Sequence, residues 1–107
     1  MEGTWVYYTD GSQGWVKNSL QNSAAYCRLA GPAAVAAVDS WNVGSQVEVA
    51  DAEVFAVARV LEAVAYGSEA PPDSCNTIVI FVDSQAAILR IQNPRGNRWA
   101  RWIQSIA

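Results

Sequence analysis

The six residues Thr77-Ile78-Val79-Ile80-Phe81-Val82, followed at once by Asp83-Ser84-Gln85, constrain this chain more than any other stretch. A continuous apolar run of that length suits an inner strand that lies parallel to a neighbour and is covered on both faces. Parallel strands cannot be joined by a hairpin. They need a crossover of a dozen or more residues, usually a helix. The preceding sequence offers both a partner strand and a crossover helix, so the expected class is mixed α/β.

The partner is Thr4–Asp10, rich in aromatic and β-branched residues and read as ending at Gly11-Ser12. A polar stretch with Gly14, Asn18 and Asn22 reads as a turn region. A second strand is expected near Ala24–Leu29 and a third near Val35–Val43, with Gly31-Pro32 as the turn between them. Short connections make these three an antiparallel meander. The helix starts between Ser45 and Asp51, where Ser45-x-x-Glu48 fits a capping box and Asp51 competes as N-cap. It runs through Ala52–Tyr66 and ends at Gly67, ahead of Pro71-Pro72. Val57, Val60, Leu61 and Val64 form its core stripe, and Glu53 falls on that buried side. Phe55, Arg59, Glu62 and Tyr66 share another face, where Arg59 and Glu62 can pair. After the fourth strand come a short helix, Gln85–Gln92, broken at Asn93-Pro94, and an amphipathic helix from Arg98 to Ala107. Trp99, Trp102, Ile103 and Ile106 share one side of that last helix. The order is βββαβαα.

Composition narrows the chemistry. Of 107 residues, 51% are hydrophobic and only 16% charged, which excludes a disordered tail. No apolar run approaches the roughly 20 residues that span a bilayer, and Met1-Glu2-Gly3-Thr4 carries no signal-peptide pattern. A soluble intracellular protein of cytoplasm or nucleus is expected. Cys27 and Cys75 stand apart with no CxxC pair; two reduced thiols are favoured, and a disulfide stays open. Histidine is absent, which removes Ser-His-Asp and Cys-His catalysis and His-based zinc sites. Any catalysis must rest on carboxylates with a hard metal ion. The net charge of −3 hides an asymmetry. Residues 1–89 carry all ten acids against Lys17, Arg28 and Arg59, whereas residues 90–107 carry Arg90, Arg95, Arg98 and Arg101 and no acid. A basic end beside an acidic body suits a phosphate-contacting face next to a metal pocket, although the charge alone favours a solvated helix face.

Asp10 and Asp83 close two strands that a right-handed crossover would set side by side, about 4.8 Å apart. Strand parity agrees, with Val6, Tyr8 and Asp10 on one face and Val79, Phe81 and Asp83 on the corresponding one. Glu53 joins them from the helix packed over the same strands. Singly, each acid has a plain structural reading: turn former, N-cap or first-turn helix acid. Together, three converging carboxylates repel unless a divalent cation sits among them, and oxygen ligands favour Mg²⁺ or Mn²⁺.

Tyr8-Thr9-Asp10-Gly11-Ser12, then Ala52-Glu53, then Val82-Asp83-Ser84-Gln85 resembles the ribonuclease H family, type 1. Val49-Ala50-Asp51-Ala52-Glu53-Val54-Phe55-Ala56 and Asn93-Pro94-Arg95-Gly96 are similar to the ribonuclease H domains of fungal non-LTR retrotransposon reverse transcriptases. The resemblance covers essentially the whole chain. It implies a sheet of order 3-2-1-4-5 with strand 2 antiparallel to the rest. It also implies cleavage of the RNA strand of RNA–DNA hybrids with two Mg²⁺ ions, leaving 3′-hydroxyl and 5′-phosphate ends. By the same resemblance Asp10 matches the ligand shared by both metals, and Glu53 and Asp83 complete the metal on the leaving-group side. Gly11 would let backbone approach the ribose-phosphate. Ser12 and Gln85 are candidate contacts to the hybrid, and Arg90, Arg95 and Arg98, with Arg101, are candidates for phosphates of the other strand.

The family continues with a fifth strand, a His-bearing loop and a final helix bearing a fourth carboxylate, to which nothing in this sequence corresponds. The expectation is one domain over residues 1–107, sheet order 3-2-1-4, incomplete at its C-terminal end. Its nucleophile-side metal position would be impaired, since Glu69 and Asp73 are loop acids that nothing places as substitutes. The apolar fourth strand would keep an open edge on which a homodimer can form. A second functional reading is a non-catalytic nucleic-acid- or metal-binding piece of a retroelement protein.

Overall fold

A computed structural model describes residues 3–31, 34–45, 48–67, 69, 71–93 and 98–106. Three strands, β1 (Thr4–Val16), β2 (Ser19–Gly31) and β3 (Ala34–Gly44), precede helix α1 (Val49–Tyr66). Strand β4 (Thr77–Val82), α2 (Gln85–Gln92) and α3 (Arg98–Ile106) follow. The sheet order is β3-β2-β1-β4. The meander pairs antiparallel, Tyr8 with Cys27 and Cys27 with Val38. Strand β4 lies parallel to β1, pairing Val6 with Val79 and Tyr8 with Phe81, as the shared parity required.

The first strand is much longer than its sequence suggested. It does not stop at Gly11-Ser12; pairing continues from Gly11 with Ala24 to Val16 with Ser19. The reversal is made by Lys17 and Asn18, at φ 48° and 65°, as in a two-residue hairpin turn with both central residues left-handed. Strand β2 accordingly begins at Ser19 rather than Ala24. Gly11 and Gly14 are therefore strand residues, and cross-strand pairing overrides their turn preference.

Alternation along β1 and β2 puts Tyr7 and Thr9, with Asn22, Ala24 and Tyr26, on the face that α1 covers. Tyr7 and Tyr26 meet edge to face at 5.8 Å and pack with Val60, and Ile78 and Ile80 of β4 join them. Val54, Val57, Ala87, Ala100 and Ile103 build a second cluster where α1, α2 and α3 meet. The buried face of α1 is wider than the valine stripe, taking in Ala52, Val54, Ala56 and Ala58. These small side chains let the helix lie close to the sheet.

The helix start also differs. Its N-cap is Glu48, and Asp51 sits at the third helical position, accepting the Glu48 backbone N–H at 3.3 Å. Neither Ser45 nor Asp51 is the cap; a reciprocal Glu48/Asp51 box replaces both. The C-terminus ends as expected at Gly67, left-handed at φ 108°, donating to the Ala63 carbonyl.

Among the described residues β4 pairs only with β1, so it is the edge strand that the expected order 3-2-1-4 implied, although its apolar run alone suggested an inner strand. Phe81 is 52% exposed and stacks on Tyr8 across the uncovered face of the sheet. Both cysteines are half-buried free thiols. Among the described residues, no helix is long and apolar enough to cross a membrane.

Candidate active site

Asp10 lies within β1 and Asp83 directly follows β4, so parallel pairing carries both to the same region of the sheet. Both are exposed, whereas Glu53, one turn into α1, is only 5% exposed. Ser84, not Asp83, caps α2; its hydroxyl accepts the Ala87 N–H at 3.1 Å. The Asp83 side chain is thus not spent on the cap.

Burial raises the Glu53 pKa above the usual carboxylate range, and the negative charges of Asp10 and, more weakly, Asp83 push it the same way. The nearby backbone amides of Ser84 and Gly11 pull in the opposite direction. Glu53 Oε2 is fully buried and has no hydrogen-bond partner among the described residues. A buried acceptor in that state is costly and calls for a cation or a proton. The three acids are not gathered tightly, however. Among the described residues no group of three or more His, Cys, Asp or Glu is placed to hold one metal ion. Glu53 feels both aspartates electrostatically, and the two exposed aspartates must turn inward to share an ion with it.

Gly11 has a different task from the one its sequence context suggested. A Cβ there would lie 2.6 Å from Glu53 Cγ and 2.9 Å from the Val49 carbonyl oxygen. Glycine is required so that α1 can seat Glu53 against the strand.

Ribonuclease H1 from the halophilic archaeon Halobacterium salinarum NRC-1 aligns over 94% of this chain and 70% of its own, at 19% identity and a TM-score of 0.60. The fold is ribonuclease H-like. The foamy viral protease-reverse transcriptase, solved in complex with dsDNA, aligns over 83% of this chain at 19% identity and a TM-score of 0.58. This chain spans 53% of that one, about half its length. No protein-family model matches the sequence, and no curated protein matches it.

On this ribonuclease H-like frame the remaining candidates separate. Ser12 and Gln85 are exposed, on β1 and at the first position of α2. Arg90 is not poised for phosphate: it is ion-paired to Glu48 at 2.9 Å and to Asp51 at 3.1 Å. Arg101 is exposed on α3. Arg95 lies outside the described residues; Arg98 opens α3, and its side chain lies outside them too. The Arg59–Glu62 pair forms as expected at 2.8 Å. With Ala58, Trp99 and Trp102 it lines a cleft of about 370 Å³ between α1 and α3, and none of the three carboxylates lines that cleft.

Glu69, set aside in the sequence as a loop acid, is instead buried. It accepts from the Tyr7 hydroxyl at 2.8 Å and from Arg28 Nε at 2.6 Å, and the Arg28 guanidinium lies 3.7 Å from the centroid of the Trp5 ring. Burial and the neighbouring carboxylate hold the Tyr7 hydroxyl far above its ordinary pKa. The available signal was the cross-strand pairing of Tyr7 with Arg28, which becomes readable only once the register is known.

Proposed function

We propose that the chain is a ribonuclease H unit over residues 1–107, of the kind attached to fungal non-LTR retrotransposon reverse transcriptases. It would hydrolyse the RNA strand of RNA–DNA hybrids with Mg²⁺ or Mn²⁺. The observation that carries the reading is the buried, partnerless Oε2 of Glu53 beside the negative charges of Asp10 and Asp83. That donor set is all oxygen and fits a hard divalent cation. Asp10, Glu53 and Asp83 would hold the ion. When bound it supplies charge neutralisation and a more acidic coordinated water. Glu53 is fixed by the close packing of α1 on β1 at Gly11, while the exposed Asp10 and Asp83 would supply the adjustable ligands. Ser12 and Gln85 flank them and are suited to hydrogen-bond a sugar–phosphate backbone, where 2′-hydroxyls distinguish RNA. Arg98 and Arg95 remain proposed phosphate contacts; Arg90 is withdrawn from that set by its ion pairs.

The exposed edge of β4 supports a second proposal, that two copies pair through it. The non-catalytic alternative has its own support in the loose spacing of the three acids. Cleavage of an end-labelled RNA–DNA hybrid in Mg²⁺ or Mn²⁺ decides between them. Wild type should cut the RNA strand, and Asp10→Asn should lose at least about a hundredfold in rate. Equal cleavage by both, or none by either, overturns the enzyme reading.

A further inference from the structure

Helix α2 is held weakly by apolar packing. It has eight residues, too few for a helix to persist alone in water, and Ala87 is its one fully buried member among the described residues. Leu89 is mostly exposed, as is part of Ile88. Yet the turn that begins this helix carries Asp83 and the Ser84 amide, and both bear on Glu53. Arg90 sits about one and two-thirds turns beyond Ser84, about 9 Å along the axis at 1.5 Å per residue. Its Nη2 meets Glu48 Oε2 at 2.9 Å and its Nε meets Asp51 Oδ1 at 3.1 Å. Asp51 is itself fixed in the box that starts α1. Gln104 Nε2 of α3 donates to the Ile91 and Gln92 carbonyls at 2.6 and 2.9 Å and holds the far end of α2, whereas Arg90 is the side chain that ties α2 to the first turn of α1.

We infer that Arg90 is a positioning residue for the carboxylate site, clamping α2 to the first turn of α1 so that Asp83 and the Ser84 amide stay in register with Glu53. This rests on the reading of Asp10, Glu53 and Asp83 as metal ligands. The guanidinium fork is needed because it reaches two carboxylates at once; an ammonium is a single point charge.

The sign of the effect on metal binding separates clamping from charge. Arg90 adds positive charge near the acids, so by Coulomb interaction alone Arg90→Gln should tighten Mn²⁺ binding. A lost clamp weakens it, by about tenfold if it behaves as other ligand-supporting contacts do. Calorimetric titration of Mn²⁺ into wild type, Arg90→Gln and Arg90→Lys is the first arm, with Arg90→Lys expected to recover only part of the loss. Amide hydrogen exchange at Ser84, read by NMR without metal, is the second. Arg90→Gln and the Glu48→Gln/Asp51→Asn double variant should each speed it about tenfold through easier local opening. Unchanged or tighter Mn²⁺ binding in Arg90→Gln overturns the clamp, as does unchanged Ser84 exchange in both variants. If wild type binds no Mn²⁺, the metal-site reading fails by itself and the exchange arm still decides whether Arg90 clamps. A fall of about one in the salt dependence of hybrid binding, with metal affinity intact, would return Arg90 to phosphate contact and overturn the clamp.

Discussion

Gly11 and Glu53 form a matched pair, one residue small so that the other can be buried. Replacing Gly11 by Ala drives a methyl into Glu53 Cγ at 2.6 Å and the Val49 carbonyl at 2.9 Å. Backbone cannot yield as a flexible side chain does, so the expected cost is about 1–3 kcal/mol in urea unfolding. Glu53 carries a linked pH effect. Its folded-state pKa is raised, so the native chain holds that proton more tightly than the unfolded chain. Stability from this group is therefore present below the ordinary carboxylate range and is lost as pH rises through the raised value. Glu53→Gln should raise the Tm of the metal-free protein at neutral pH and flatten the acidic limb of its Tm–pH curve, while abolishing Mn²⁺ binding. A lower Tm at neutral pH would show that the buried charge is not the strained group. Helical spacing alone made the burial of Glu53 legible, because positions 53, 57, 60 and 64 repeat on one face. The reason for Gly11 was not legible, because it depends on how closely α1 approaches β1.

At the level of elements, the α1–β4 connection owes its path to Glu69. Tyr7 on β1 and Arg28 on β2 both donate to it, so one loop carboxylate ties the crossover to two strands. Tyr7→Phe removes one donor and leaves the ion pair, and should cost about 1 kcal/mol. Arg28→Met leaves a largely buried carboxylate with its charge uncompensated and should cost on the order of 3 kcal/mol. Chemical denaturation of both variants checks the ranking; an equal loss in each would mean that the ion pair adds nothing beyond the hydroxyl. Elements were readable where periodicity and caps act locally, as with α1 ending at Gly67 and α2 at Asn93. They were misread where pairing decides. Gly11-Ser12 carries a turn signal that ten paired positions between β1 and β2 override, and Lys17-Asn18 carries a weak one that forms the hairpin.

For the molecule as a whole, among the described residues, helices cover one face of the sheet and leave the other open. Across that face run Val38, Cys27, Tyr8 and Phe81, one from each strand, in register. The row ends at the β4 edge, so an apolar surface adjoins unpaired backbone, the combination that favours strand-to-strand association. Light scattering at rising concentration should report a dimer, and Phe81→Lys should restore the monomer by placing a charge at that edge. A monomer throughout would remove the proposed homodimer. The order 3-2-1-4 was expected from the resemblance, and the meander and crossover read from the sequence agree with it. The open edge of β4 was expected as well, on the resemblance rather than on the apolar run, which looks the same whether one side of the strand is paired or two.

The pairing of Thr4 with Thr77 has a consequence for time rather than shape. The hairpin of β1 and β2 closes locally, across two residues, and belongs to the microsecond class of folding events. Docking β4 must close a loop of some seventy residues, and such distant contacts are the slow ones. Asp10, Glu53 and Asp83 come from the two sides of that loop and from within it, so no partly folded chain can bring all three together. The proposed carboxylate site would then be the last thing this chain makes, and a divalent ion held there would bind only a molecule that has already finished folding.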